Sequence, residues 1–179
     1  MREWNAVISV HEHGYRKALD VFGDFGEVRR TEFFNVLLLR AENPPEMLEA
    51  LRTRAQERPE SLSFLARLIP VTRTFIFNSA DEFEARAKEI VLGWVQQLAG
   101  KAFYVRIRRR GFKGRFSSPD EERFLDTILL EALENTDSPG SISFEHPDAV
   151  VAVETVGTWA GMSLWTRDDL ERYPFIRII

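Results

Sequence analysis

The spacing of apolar positions along this chain switches repeatedly between a period of two and a period near 3.6, the signature of strands alternating with helices. Asn5–Val10 predicts a strand, and Gly14–Phe22 predicts a helix with Ala18, Leu19 and Phe22 on its apolar side. Phe25–Arg30 and Thr31–Arg40 predict two further strands. The run from Phe33 to Leu39 is almost continuously apolar, as suits a central strand covered on both faces. Asn43-Pro-Pro-Glu46 opens a helix through Ala55, with Met47, Leu48, Leu51 and Ala55 at helical spacing. Leu65–Phe77 is strand-like around Pro70.

Strand, helix, strand, strand, helix, strand is the split βαβ order of ferredoxin-like folds, and it predicts a first module spanning 1–77. In the remainder, 78–179, Ser79 or Asn78 caps a helix from Asp81 to Leu98 whose stripe is Phe83, Ala87, Ile90, Val91, Trp94 and Leu98. A strand at 103–109 follows, then a helix over 119–134 with Phe124, Leu125, Ile128, Leu129, Ala132 and Leu133 on one side. Ile142–Phe144 predicts a short strand. The β-rich runs 148–154 and 159–165 flank Val156-Gly157-Thr158 as a hairpin. The tail predicts a turn and an edge strand at 175–179. The class expected is α+β, with mixed sheets and helices packed on them.

Charge singles out one stretch. Residues 101–115 hold seven Lys/Arg and no carboxylate, whereas 116–179 hold four basic and thirteen acidic side chains in a chain of net charge -4. Self-repulsion alone would disperse such cations, so the segregation points to a negative partner. Phe103, Val105 and Ile107 alternate with Tyr104, Arg106, Arg108 and Arg110, which puts an apolar row on one face of the strand and a Tyr/Arg row on the other. Gly111-Phe112-Lys113-Gly114 then turns the chain. Ser118 is expected to cap the next helix, with Pro119 in its first turn and Glu121 three residues on. The positive end of that helix beside an Arg-rich turn makes a phosphate site. Lys101, Arg106, Arg108, Arg109, Arg110, Lys113 and Arg115 are the expected RNA contacts, with Tyr104 and Phe112 as candidate stacking rings.

Catalytic chemistry finds little support. The chain lacks Cys, which removes disulfides, thiolate metal sites and a Cys nucleophile, and agrees with a cytoplasmic location. His11 and His13 flank Glu12 but lack a third ligand, so no metal is expected. No phosphate-binding glycine loop or Gly-x-Ser-x-Gly elbow is present, no catalytic residue is assigned, and no cofactor is expected. The longest apolar run falls far short of a membrane span.

The strand ending Arg108-Arg-Arg-Gly111, the Phe116-Ser-Ser-Pro-Asp-Glu121 helix start, the His146-Pro-Asp148 turn, the Val151-Ala-Val-Glu154 strand and Ala160-Gly-Met-Ser-Leu164 together resemble the THUMP domain with its ferredoxin-like N-terminal partner. The ending Arg172-Tyr-Pro-Phe175 is similar to that of stand-alone THUMP adaptors of tRNA cytidine acetylation. The resemblance implies binding of tRNA or another structured RNA. With no catalytic domain expected in this chain, it implies a non-enzymatic adaptor that presents tRNA to a separate modifying enzyme, such as a cytidine acetyltransferase. Two rivals stand beside it: an RNA-modifying enzyme with an unrecognised site, and a protein interaction module that docks on an acidic partner.

Overall fold

β-branched Val7, Ile8 and Val10 favour extended backbone, and Ala6–Val10 forms strand β1, buried along its whole length. The computed structural model describes residues 3–178. They divide into a first unit, 3–72 with 170–178, and a second, 73–169. In the first unit β1 is followed by helix α1 (Tyr15–Phe22), strands β2 (Gly26–Arg30) and β3 (Val36–Ala41), helix α2 (Pro44–Glu57), a 3₁₀ turn (Pro59–Leu62) and strand β4 (Leu65–Pro70). The sheet order is β2-β3-β1-β4 with antiparallel neighbours, and Ile8 faces both Leu37 and Leu68. This is the ferredoxin-like arrangement that the periodicity predicts. Asn43 caps α2 by accepting the Glu46 N–H at 3.1 Å. The helices bury Ala18, Phe22, Met47, Leu48 and Leu51.

Two expectations fail here. The strand predicted from Thr31 begins only at Val36, because residues 31–35 form a loop tied by the Thr31 hydroxyl, which donates to the Val36 carbonyl at 2.8 Å and accepts the Phe33 N–H at 3.1 Å. Asn35 turns the chain with a φ of 59°, and Phe34 is 83% exposed instead of central. The predicted C-terminal edge strand is also absent from residues 173–178, and Ile179 lies outside the described residues. That tail instead covers the outer edge of β4. The Leu68 N–H donates to the Phe175 carbonyl at 3.1 Å, and Phe175, Ile176 and Ile178 are buried. Glu49 on α2 accepts from the Tyr173 hydroxyl at 2.9 Å and pairs with Arg172, which holds its carboxyl below the usual range.

The second unit runs β5 (Arg73–Ile76), α3 (Ala80–Leu92), α4 (Val95–Leu98), β6 (Ala102–Arg108), α5 (Ser118–Glu134), β7 (Ser141–Ile142), β8 (Ala149–Val156) and β9 (Trp159–Thr166), and α6 (Arg167–Arg172) leads out of it. Its sheet order is β5-β9-β8-β6-β7, with β6 parallel to both β7 and β8. The stretch 65–77 is therefore two strands in different sheets. β5 pairs with β9, Phe75 opposite Ala160, so the units divide after Thr72 instead of after 77. The helix predicted over 81–98 breaks at Gly93, whose backbone freedom disfavours helix continuation. Phe77, Phe83 and Phe116 pack edge to face within the core, together with Leu125, Leu129 and Leu133 of α5. No helix among the described residues is long and apolar enough to cross a membrane.

One contact sets where α5 lies. β7 meets β6 only at Ala102 and Phe103, leaving the rest of that edge without a strand partner. The Val105 N–H donates to Asp126 Oδ1 at 3.2 Å and the Ile107 N–H to Glu122 Oε2 at 2.8 Å. Two residues along a strand span ~6.6 Å and four along a helix ~6.0 Å, so one helix face matches the strand's alternate donors. Burial outweighs the Val105 hydrogen bond at Asp126 and pushes its carboxyl up to about 6. Replacing Asp126 by Leu leaves the Val105 N–H unsatisfied and is expected to lower the unfolding free energy by about 1–3 kcal/mol, while Asn, which retains an acceptor, costs less than about 1 kcal/mol. Denaturant titration of both variants checks this ordering.

Candidate nucleic-acid interface

β6 carries the cations on a mixed face. Phe103, Val105 and Ile107 enter the core, as the alternation predicts. Tyr104, expected on an open face, is instead only 3% exposed: β6 lies inside the sheet, and the ring packs beside Phe144 with centroids 5.3 Å apart. It offers no free surface for stacking a base. The Arg106 guanidinium sits 5.4 Å over the same ring and 3.9 Å from Glu122, and its Nε is buried without a hydrogen-bond partner among the described residues.

The three arginines ending the strand have different fates. Arg110 N–H donates to Thr155 Oγ1 at 3.0 Å, and its guanidinium lies 3.3 Å from Glu154 Oε1, with the two side chains 9% and 6% exposed. That buried pair engages Arg110 within the protein and removes it from the expected phosphate contacts. Arg109 donates to the Gly111 carbonyl at the turn. Arg108 forms no ion pair among the described residues. Partial burial lowers its pKa, Glu154 opposes this, and the cations of Arg110 and Arg106 add to it. A phosphate placed there would relieve that repulsion.

The turn itself is built by Gly111 at φ 95°, Phe112 at φ 55° and Gly114 at φ 79°. A left-handed Phe is uncommon, and this one is held by stacking on Phe77 at 4.9 Å and 29°. Arg115 lies 4.7 Å over the Phe112 ring. Phe112 is thus a packing residue, which corrects its expected role as a stacking platform. Lys113 and Arg115 are exposed. Lys101 is exposed too, but precedes β6 and lies ~23 Å from Arg108 along the strand, so the structure does not bring it to the others.

What the fold does assemble is an open concavity of about 340 Å³ lined by Arg106, Ile107, Arg108, Arg109 and Ser118. Ser117, not Ser118, caps α5, accepting the Asp120 N–H at 3.3 Å. The cap lies one residue earlier than expected because Pro119 occupies the second helical position instead of the first, which places Ser118 in the concavity. The positive end of a helix and three guanidinium groups converge there, an arrangement that favours an oxyanion. Glu122 and Glu154, the carboxylates that pair with Arg106 and Arg110, are not legible as arginine partners in the sequence. Only the parallel register, which sets Arg108 opposite Glu154, reveals the last of them. Among the described residues no group of His, Cys, Asp or Glu is placed to hold a metal.

In the first turn of α5 Glu121 is 5% exposed, and one of its carboxyl oxygens lacks a partner among the described residues. Burial first, then a hydrogen bond with Glu84 and the charges of Glu84, Asp120 and Asp81, push its carboxyl up to about 8. A raised acid favours the folded state while protonated, so this contribution is whole below about pH 4.5 and disappears as pH climbs toward 8. Glu121→Gln, always neutral, is expected to match the parent in Tm near pH 4.5 and to exceed it by roughly 3–8 °C at pH 8.5. Calorimetry across that range reads the difference; equal Tm values at pH 8.5 would contradict it.

No family model matches this chain, and no curated protein matches it. Solved structures do. PH1313 from Pyrococcus horikoshii Ot3 aligns over 92% of this chain and 55% of its own with a TM-score of 0.59 at 11% identity. TrmN from Thermus thermophilus aligns over 90% of this chain and 44% of its own, TM-score 0.61, 17% identity. A 4-thiouridine synthetase, solved with RNA and bound ATP, aligns over 92% of this chain and 42% of its own, TM-score 0.55, 13% identity. The chain thus spans about half the length of the structures it matches. At these identities the likeness is one of fold, and the fold it shares with them is α+β and THUMP-like.

Proposed function

We propose that this chain binds the phosphate backbone of RNA, tRNA foremost, through the concavity between β6 and the start of α5, and acts as a non-enzymatic adaptor that presents the RNA to a separate modifying enzyme, a cytidine acetyltransferase being the first to test. The observation that carries the reading is Arg108, a half-buried guanidinium that forms no ion pair among the described residues, beside two further cations and the positive end of a helix. Arg binds phosphate oxygens in a fork, and such contacts register backbone and shape without reading bases. Support comes from the company of the fold: the 4-thiouridine synthetase of like fold is named as an RNA complex. The adaptor role rests on the sequence resemblance, which supplies a partner class.

Arg106, Arg108, Arg109, Lys113 and Arg115 remain as the cations available to RNA, and with Arg109 partly engaged by the Gly111 carbonyl about three or four phosphates are neutralised. The logarithm of the association constant for a single-stranded tRNA end should fall against log salt with a slope of roughly -2 to -3. Arg108→Glu is expected to weaken bulk tRNA binding at least about tenfold without changing sequence preference, and Lys101→Glu less than about threefold. Filter binding across a salt series, with circular dichroism to verify folding, measures both; a flat salt response, or full retention by folded Arg108→Glu, defeats the reading. Incubation of the purified chain with tRNA and common group donors, followed by nucleoside mass analysis, is expected to show no new nucleoside.

A further inference from the structure

The first unit carries a second concavity, of about 390 Å³, whose lining includes Tyr15, Arg30, Thr31, Phe33, Phe34 and Asn35. Its volume falls within the ~300–1,000 Å³ of small-ligand sites. Arg30, at the end of β2, lays its guanidinium 3.8 Å over the Tyr15 ring and forms no ion pair or hydrogen bond among the described residues. By contrast its neighbour Arg29 is engaged by Glu27 at 2.8 Å. Phe34, 83% exposed, lines the same concavity.

The loop that displays this ring is firmly held. Besides the Thr31 hydrogen bonds, the Asn35 carbonyl accepts the Val10 N–H at 3.0 Å and the Phe33 carbonyl accepts the Val36 N–H at 3.3 Å. A ring held outward by such a network is already organised for a partner, which reduces the ordering entropy of binding. Protein docking fits poorly, because a stable interface covers ~800 Å² per partner, and among the described residues of this unit the other exposed large apolar one is Leu19. An exposed aromatic ring in the same concavity as a flat guanidinium instead matches the two halves of a nucleotide, a π-surface and an anion.

We propose that this concavity is a nucleobase-binding site, in which an unstacked base of single-stranded RNA lies on Phe34 while its phosphate meets Arg30. The Glu32 carboxylate, also in the lining, is an acceptor within the site for an exocyclic amine. The site belongs to the first unit alone and does not rest on the Arg108 reading.

The test uses the full chain and a fluorescent single-stranded RNA hexamer carrying one 5-iodouridine. Phe34→Ala is expected to weaken binding about 5- to 50-fold, the range for removing one stacked base, while Phe34→Trp stays within about threefold of the parent. Arg30→Gln should make the salt slope shallower by about 0.7. Irradiation should attach the hexamer to the tryptic peptide Thr31–Arg40, in the parent and equally in Arg108→Glu, which separates this site from the one on the second unit. Unchanged affinity in Phe34→Ala, an adduct only elsewhere, an adduct lost in Arg108→Glu, or uridine monophosphate competing as well as the hexamer would each overturn the proposal. Since Phe34 is a surface residue, its Ala variant retains the fold, and an unaltered thermal transition verifies that.

Discussion

Two carboxylates on one helix hold the rest of the second unit in place. Glu122 and Asp126 accept the N–H groups of Ile107 and Val105, closing the part of the β6 edge that β7 is too short to cover. A bare run of edge donors invites pairing with another chain, and a helix face with acceptors four residues apart satisfies it. The same contact fixes the axial position of α5, and with it the place of Ser118 beside the arginines. Glu122 also lies within 3.9 Å of Arg106, so the group that closes the edge restrains a cation of the site as well.

Charge within the site is divided between architecture and solvent. Arg110 and Glu154 form a pair almost entirely removed from water, whose desolvation offsets much of its Coulomb attraction; breaking it by removing one partner would strand the other. Such a pair is better understood as a device for position than as a source of stability, since it ties the end of β6 to β8 where the turn begins. Arg109 is drawn to the Gly111 carbonyl. Arg108 keeps partial solvation with the Arg110 and Arg106 cations and the Glu154 carboxylate acting on it, and this asymmetry, not the raw count of cations, is what the proposed phosphate contact rests on.

Much of this architecture was legible in the sequence because short-range physics specifies it. The caps at Asn43 and Ser79, the stripe Phe83, Ala87, Ile90 and Val91, and the alternation Phe103, Val105, Ile107 all reappear as drawn. Misreadings fall where distant partners decide. The run Phe33–Leu39 is apolar enough for one strand, yet a left-handed Asn35 and the Thr31 hydroxyl make its first half a loop. Residues 65–77 share one strand-like pattern, but membership of two sheets depends on β1 and β9, far away in sequence. The cationic stretch was visible as a segregation of charge. Its internal ranking was not, because Glu154 reaches Arg110 only through the parallel pairing of β6 with β8, and Tyr104 is covered by a Phe144 whose place no local pattern foretells.

The path of the chain through the two units carries a consequence for biosynthesis. Residues 170–178 belong to the unit begun by residues 3–72, so the entire second unit is an insertion within the first. During translation the outer edge of β4 therefore lacks its Phe175 cover until the whole second unit has been made. For these two units the order of maturation is reversed relative to the order of synthesis: the unit begun first is completed after the one inserted into it, and a ribosome stalled before residue 175 would display an incomplete β-edge to the chaperones around it.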